Sequence, residues 1–161
     1  MNKILKKSVL MIICFATLFF ASCDEEIRVY DDGYFMVGDV SYNLNRATLE
    51  DLGVENGYYQ LRLSMDNTSN NDNHKINFLI YTEVNDYLPS AKYTPYLYDN
   101  DYHNKFKRGA WLIGDVEASV FLQGYLKTTK DNDIYTVRFE CKDIDGNTIT
   151  GKYEGRIQML I

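Results

Sequence analysis

Cysteine, proline and histidine are scarce in this chain: its 161 residues carry three Cys, two Pro and two His. Tryptophan occurs once, at Trp111, and 17 basic residues face 23 acidic ones. Each shortage removes a class of protein. His74 and His103 both stand in polar, loop-like stretches without HxxxH, HxH or cysteine partners, so the donor set of a zinc site is missing. No nucleophile elbow or other catalytic motif occurs, and the expectation is a protein that is not an enzyme. The deficit of basic charge argues against nucleic acid as a partner, because an acidic surface repels phosphate backbones. The longest apolar run, Val9 to Phe20, falls short of the roughly 20 residues needed to span a bilayer. Neither a low-complexity tract nor a repeat at solenoid period is present.

What the chain does have begins at its N-terminus. Lys3, Lys6 and Lys7 precede the apolar run, no acidic residue occurs before Asp24, and small residues follow at Ala21 and Ser22. A basic region, a short apolar region and small residues make a signal peptide rather than a membrane span. These features fit an ordinary secretory signal cut near Ala21-Ser22, but a cysteine directly after Ala-Ser is what lipid attachment requires. The run Phe20-Ala21-Ser22-Cys23 resembles the lipobox of bacterial lipoproteins, with Phe20 in place of the commoner Leu. The resemblance implies cleavage before Cys23 and acylation of that residue. It also implies a diacylglyceryl group and usually a further acyl chain, which together hold a membrane far better than one chain does. Asp24-Glu25-Glu26 resembles the acidic export signal of Bacteroidetes-type lipoproteins, which implies the outer membrane, facing outward. The expected organisation is a signal peptide over 1–22, an acidic tether over 23–32 and a single β-domain over 33–161.

Removal of the leader leaves 139 residues, enough for one domain. Three lysines leave with it, so 14 basic residues remain against 23 acidic ones, a net charge of −9. Cys14 lies in the leader and Cys23 would carry lipid, so Cys141 is left without a disulfide partner. Cys141 alternates with Tyr135, Val137 and Phe139, which marks it as a buried apolar side chain rather than a nucleophile.

The dominant period along the body is two. Strands are expected at Tyr34–Leu44, Tyr58–Met65, Lys75–Glu83, Val116–Lys127, Ile134–Lys142 and Thr148–Leu160. In Val116–Lys127 the apolar set is Val116, Ala118, Val120 and Leu122. In Lys75–Glu83 both faces are apolar, because Leu79 and Tyr81 oppose Ile76, Phe78 and Ile80, as in a strand covered on both sides. Asp145-Gly146 and Lys130-Asp131-Asn132-Asp133 signal hairpins. Gly151 and Gly155 are expected to mark bends in the last strand. One short helix is expected over Ala47–Leu52, capped by Asn45 and stopped by Gly53. Some eight to ten short strands define an all-β domain, expected as an antiparallel two-sheet sandwich or jelly-roll, with a calycin-like closed barrel as runner-up.

The best candidate binding surface lies between Tyr87 and Trp111, where Tyr93, Tyr96, Tyr98, Tyr102 and Trp111 mix with Asp99 and Asp101. Aromatic rings offer an apolar face and a polar rim, which suits sugars, while acidic side chains meet hydroxyls. The plainer alternative is that Tyr93 and Trp111 are core. No cofactor is expected. Ca²⁺ is the one candidate, because Asp66 to Asp72, Asp99-Asn100-Asp101 and Asp143-x-Asp145-x-Asn147 offer alternating oxygens. Asx-rich turns, however, close on their own side chains.

With lipobox, acidic triplet and β-rich body together, the chain resembles small Bacteroidetes-type surface lipoproteins. The resemblance implies a cell-surface module for a glycan or a host or protein ligand. A structural or adhesin-type component of a surface assembly is the second reading, and a calycin-like small-ligand carrier or enzyme the third.

Overall fold

The computed structural model describes residues 31–69, 73–98, 100–114 and 116–160, and of residues 116–119 the backbone only. The expected signal peptide over 1–22, Cys23, the Asp24-Glu25-Glu26 triplet and Asp99 lie outside the described residues. The body is all-β, and no helix occurs among the described residues.

The strands, in chain order, are β1 (Asp32–Val37), β2 (Val40–Leu44), β3 (Arg46–Glu55), β4 (Tyr58–Asp66), β5 (His74–Thr82) and β6 (Lys92–Pro95). They continue with β7 (Lys105–Ile113), β8 (Val116–Ser119), β9 (Phe121–Asp131), β10 (Ile134–Asp143), β11 (Thr148–Gly155) and β12 (Ile157–Leu160). They form one strongly curled sheet in the order β12-β3-β4-β5-β7-β6-β9-β10-β11-β1-β2, with β8 beside β7. The curl makes a half-barrel. Its two arms meet at β6, which pairs over two residues with β7 and two with β9. The sheet is mixed rather than purely antiparallel, because β12 runs parallel to β3 and β6 parallel to β7. β12 and β2 end the strand order without pairing to each other, so the described strands do not close a barrel.

The concave side is filled. Phe78 packs against Phe106, Phe121 and Phe139 at ring separations of 5.4–5.6 Å, and Leu61, Leu63, Val137, Ile149 and Tyr153 are fully buried around them. Large side chains thus occupy the space in which a calycin would hold its ligand. Gly109 exists to admit this packing: a Cβ there would overlap the Phe121 ring. Cys141 is buried, as its alternation indicated, and burial pushes its thiol up to about 12.

Several local expectations are corrected. Tyr34–Leu44 is two strands, because Gly38-Asp39 forms a two-residue turn with Gly38 at φ 59°. Ala47–Leu52 is strand, not helix. Asn45 does accept a backbone N–H, but from Thr68 on the neighbouring connection, and Gly53 sits at a bulge with φ 95°. Pairing with β4 on one edge and β12 on the other overrides local helix preference. In Val116–Lys127 the chain breaks at Val120, whose φ of 77° reverses the alternation. Phe121 and Leu126 face the core, while Val120 and Leu122 are exposed. Thr148–Leu160 breaks at Arg156, and its last four residues leave β11 to join β3 in the other arm. Strand β1 begins at Asp32, and Asp31 already accepts the Arg156 N–H at 2.9 Å, so the folded body starts inside the expected tether.

Candidate functional site

The connection from β6 to β7 sets up the most unusual surface of the molecule. Residues 96–104 must return the chain to a parallel neighbour, a task that ordinarily takes a dozen or more residues. The loop manages it by placing Tyr98, Asn100 and Asn104 in the left-handed region, at φ 63°, 61° and 51°. Asn tolerates that conformation, but a bulky aromatic is an outlier there. Tyr98 is also 86% exposed, and Leu97 beside it 69%. Neither backbone comfort nor burial accounts for an aromatic ring at this position.

Tyr98 stands at the end of a group of rings. Its centroid lies 5.2 Å from Tyr96, which stacks on Tyr102 at 4.7 Å with planes 20° apart. Tyr102 stacks on Tyr58 from β4 at 5.8 Å and meets Tyr81 from β5 edge-on at 4.8 Å. Polar groups fix these rings. Tyr96 donates to the Tyr102 hydroxyl at 3.1 Å, and Asn56, at the turn between β3 and β4, donates to the same oxygen at 2.6 Å. Tyr81 donates to Glu55 at 2.8 Å, and Lys107 bridges both Glu55 oxygens at 2.8 and 2.7 Å.

The electrostatics keep the Tyr81 and Tyr102 phenols neutral. Burial first, then the bond to Glu55, drives the Tyr81 phenol far above its ordinary range. The Tyr96 hydrogen bond, followed by burial, pushes Tyr102 up to about 12. Glu55 is held below the usual carboxylate range by Lys107 and Tyr81. Such phenols offer flat faces and hydroxyl hydrogen bonds rather than a ready base. A depression of about 170 Å³ opens beside the rings, with Tyr58, Tyr81, Tyr87 and His103 on its walls and Tyr93 at its floor. His103 Nδ1 lies 3.4 Å from Glu83 at its edge.

The candidates named from the sequence therefore separate. Tyr96, Tyr98 and Tyr102 come together, and Asp101 lies in the same loop, where its carboxylate accepts the His103 N–H at 3.0 Å. Tyr93 and Trp111 do not join them at the surface. Tyr93 is 1% exposed and donates to the Pro89 carbonyl, and Trp111 is 8% exposed with its Nε1 3.3 Å from Asp143. Asp143 is itself buried and accepts from Asn147 N, Asn147 Nδ2 and Asp145 N at 2.8–3.0 Å. Its carboxylate closes the β10–β11 turn, so the two Asp143 oxygens among those that suggested Ca²⁺ there are already engaged.

Sequence reasoning missed Tyr58, Tyr81, Asn56, Glu55 and Lys107. The one available signal was the apolar second face of β5: its cover at Tyr81 is this ring cluster rather than another layer of sheet. No protein-family profile, curated protein or solved structure matches this chain.

Proposed function

We propose that the protein is a lipid-anchored cell-surface binding module that takes carbohydrate on the platform of Tyr96, Tyr98 and Tyr102. The observation that carries this reading is Tyr98, an 86% exposed ring at φ 63° that sits 5.2 Å from Tyr96, tilted by 57°, at the end of the tyrosine cluster. A residue that is both strained and exposed costs stability, and such costs concentrate where function needs them. A rigid aromatic face with hydroxyls at its rim suits the C–H faces and hydroxyl edges of sugars. The lipobox residues and acidic triplet supply the address: Cys23 carries the acyl chains, and the tether presents the body outside the outer membrane. In the same reading the two arms of the half-barrel act as the two layers of a sandwich, with the loops at one end free for ligand.

The test uses intact cells and purified protein together, with fluorescent soluble polysaccharides as probes. Cells bearing the wild type bind a polysaccharide that cells bearing Cys23→Ser do not retain. The purified Tyr98→Ala variant loses about 2 kcal/mol or more of binding free energy, as at an aromatic hot spot, with an unchanged melting curve. Undiminished binding by Tyr98→Ala sinks the platform, and protease resistance of the protein on intact cells sinks the surface address.

A further inference from the structure

The tyrosine platform is one end of a longer surface. Along β5 the residues facing away from the core are Lys75, Asn77, Leu79 and Tyr81, and Tyr81 lies directly beneath Tyr96 and Tyr102. Register sets Arg62 of β4 and Arg108 of β7 on either side of Leu79, one step along the strand from Tyr81. The three strands thus enclose a depression of about 270 Å³ walled by Arg62, Lys75, Asn77, Leu79 and Arg108. At about 3.3 Å per residue, the path from Tyr81 to Lys75 is roughly 20 Å long. A polymer laid along β5 would span both features.

The chemistry of the depression is specific. Three cations converge on it in a body whose expected net charge is −9. Arg62 is held by Glu50 at 2.9 Å, and Asp66, the carboxylate nearest Lys75 in register, is already engaged by Arg46 at 2.7 Å. Arg108 and Lys75 take part in no ion pair among the described residues. Between them the Asn77 Oδ1 is buried without a hydrogen-bond partner, an arrangement that costs free energy unless a donor arrives. The site therefore presents cationic donors for an anion. Leu79 adds a small apolar face. A sugar unit bearing an acidic group has the required anion and an apolar ring face.

We infer that the depression between Arg62, Lys75 and Arg108 is a subsite for the carboxylate or sulfate group of an acidic polysaccharide whose neighbouring units lie on the tyrosine platform. The inference rests on the carbohydrate reading and deepens it by naming the ligand class. General attraction of polyanions does not produce the same behaviour, because the surface as a whole is acidic and repels them.

The test measures affinities of wild type, Lys75→Gln/Arg108→Gln and Tyr98→Ala for polygalacturonate, dextran sulfate, unmodified dextran and single-stranded DNA. The expected result is preference for polygalacturonate, dextran sulfate or both over dextran, weakened as salt rises from about 0.05 to about 0.5 M. The double charge variant loses that preference on the order of tenfold, as when charge-assisted hydrogen bonds are removed, with an unchanged melting curve and unchanged dextran binding. Which acidic probe responds separates carboxylate from sulfate. Equal binding of the acidic probes by wild type and the double variant overturns the subsite, as does single-stranded DNA binding as tightly as the acidic polysaccharides. If Tyr98→Ala loses dextran while the charge variant changes nothing, the platform stands and the acidic subsite falls. If wild type binds no polysaccharide, both fall.

Discussion

Phe78 and Tyr81 stand three residues apart on β5, and each anchors an aromatic cluster of opposite character. Phe78 faces inward against Phe106, Phe121 and Phe139, all buried, at ring separations near 5.5 Å. Tyr81 faces outward against Tyr96 and Tyr102, which lead to the exposed Tyr98. The inner rings carry no polar atom and hold the half-barrel together by area removed from water. The outer rings need Asn56, Glu55 and Lys107 to hold them in place. The difference teaches that ring stacking alone does not distinguish core from site. Hydroxyls tied into a charged network and a left-handed backbone at the tip do distinguish them.

The comparison is broken most severely at Trp111, which the sequence grouped with the outer tyrosines and the structure places with the core. Trp111→Ala is expected to lower unfolding free energy by about 3–5 kcal/mol, read by urea denaturation, because it removes a buried ring and leaves Asp143 one donor short. A loss of polysaccharide binding with unchanged stability would return Trp111 to the outer group.

Asp143 gives a medium effect with a pH signature. Burial alone raises its pKa, but bonds from Asn147, Trp111 and Asp145 outweigh that and leave it lowered. A lowered folded-state pKa means that the carboxylate stabilises the protein above the unfolded pKa, and that this contribution fades as pH falls through the folded one. Asp143→Asn should therefore be less stable than wild type by about 1–3 kcal/mol at neutral pH. Its deficit should shrink once the pH falls below the ordinary carboxylate range of about 3.9. Melting curves across that range check the sign, and a deficit that grows on acidification would contradict it.

The smallest effect is expected at Tyr98 and runs the other way. Tyr98→Gly relieves a side chain from the left-handed region, where non-glycine residues lose about 1–2 kcal/mol. Added freedom of the unfolded chain takes back part of that gain. A net rise of up to about 1 kcal/mol in stability, together with lost binding, would separate the outer cluster from the inner one in a single variant. A destabilised Tyr98→Gly would mean that the ring serves packing.

Much of the fold was legible because strand alternation is local. Tyr58–Met65, Lys75–Glu83 and Ile134–Lys142 became β4, β5 and β10 within a residue or two, and Tyr135, Val137, Phe139 and Cys141 all face the core. The Gly38-Asp39 turn is also legible, since Gly followed by Asp is a two-residue turn signal. The strand identity of Ala47–Leu52 was legible on one side only, through the Asn56-Gly57 hairpin signal that pairs it with β4. Its partner β12 lies about a hundred residues further along the chain, and no local pattern announces a parallel pairing at that distance. The site divides in the same way. Tyr96, Tyr98 and Tyr102 were visible as a run of aromatics, whereas Tyr58, Tyr81 and Arg108 enter only through sheet register.

By itself the sequence determined the all-β character, the buried state of Cys141 and the acidic balance. These depend on composition and on neighbours along the chain. The tertiary structure alone decided which aromatics are core and which are surface, because burial depends on what a curled sheet brings from elsewhere. It alone placed three cations and an unpartnered Asn77 beside a tyrosine platform, since those side chains come from β4, β5 and β7 and meet only by pairing across strands.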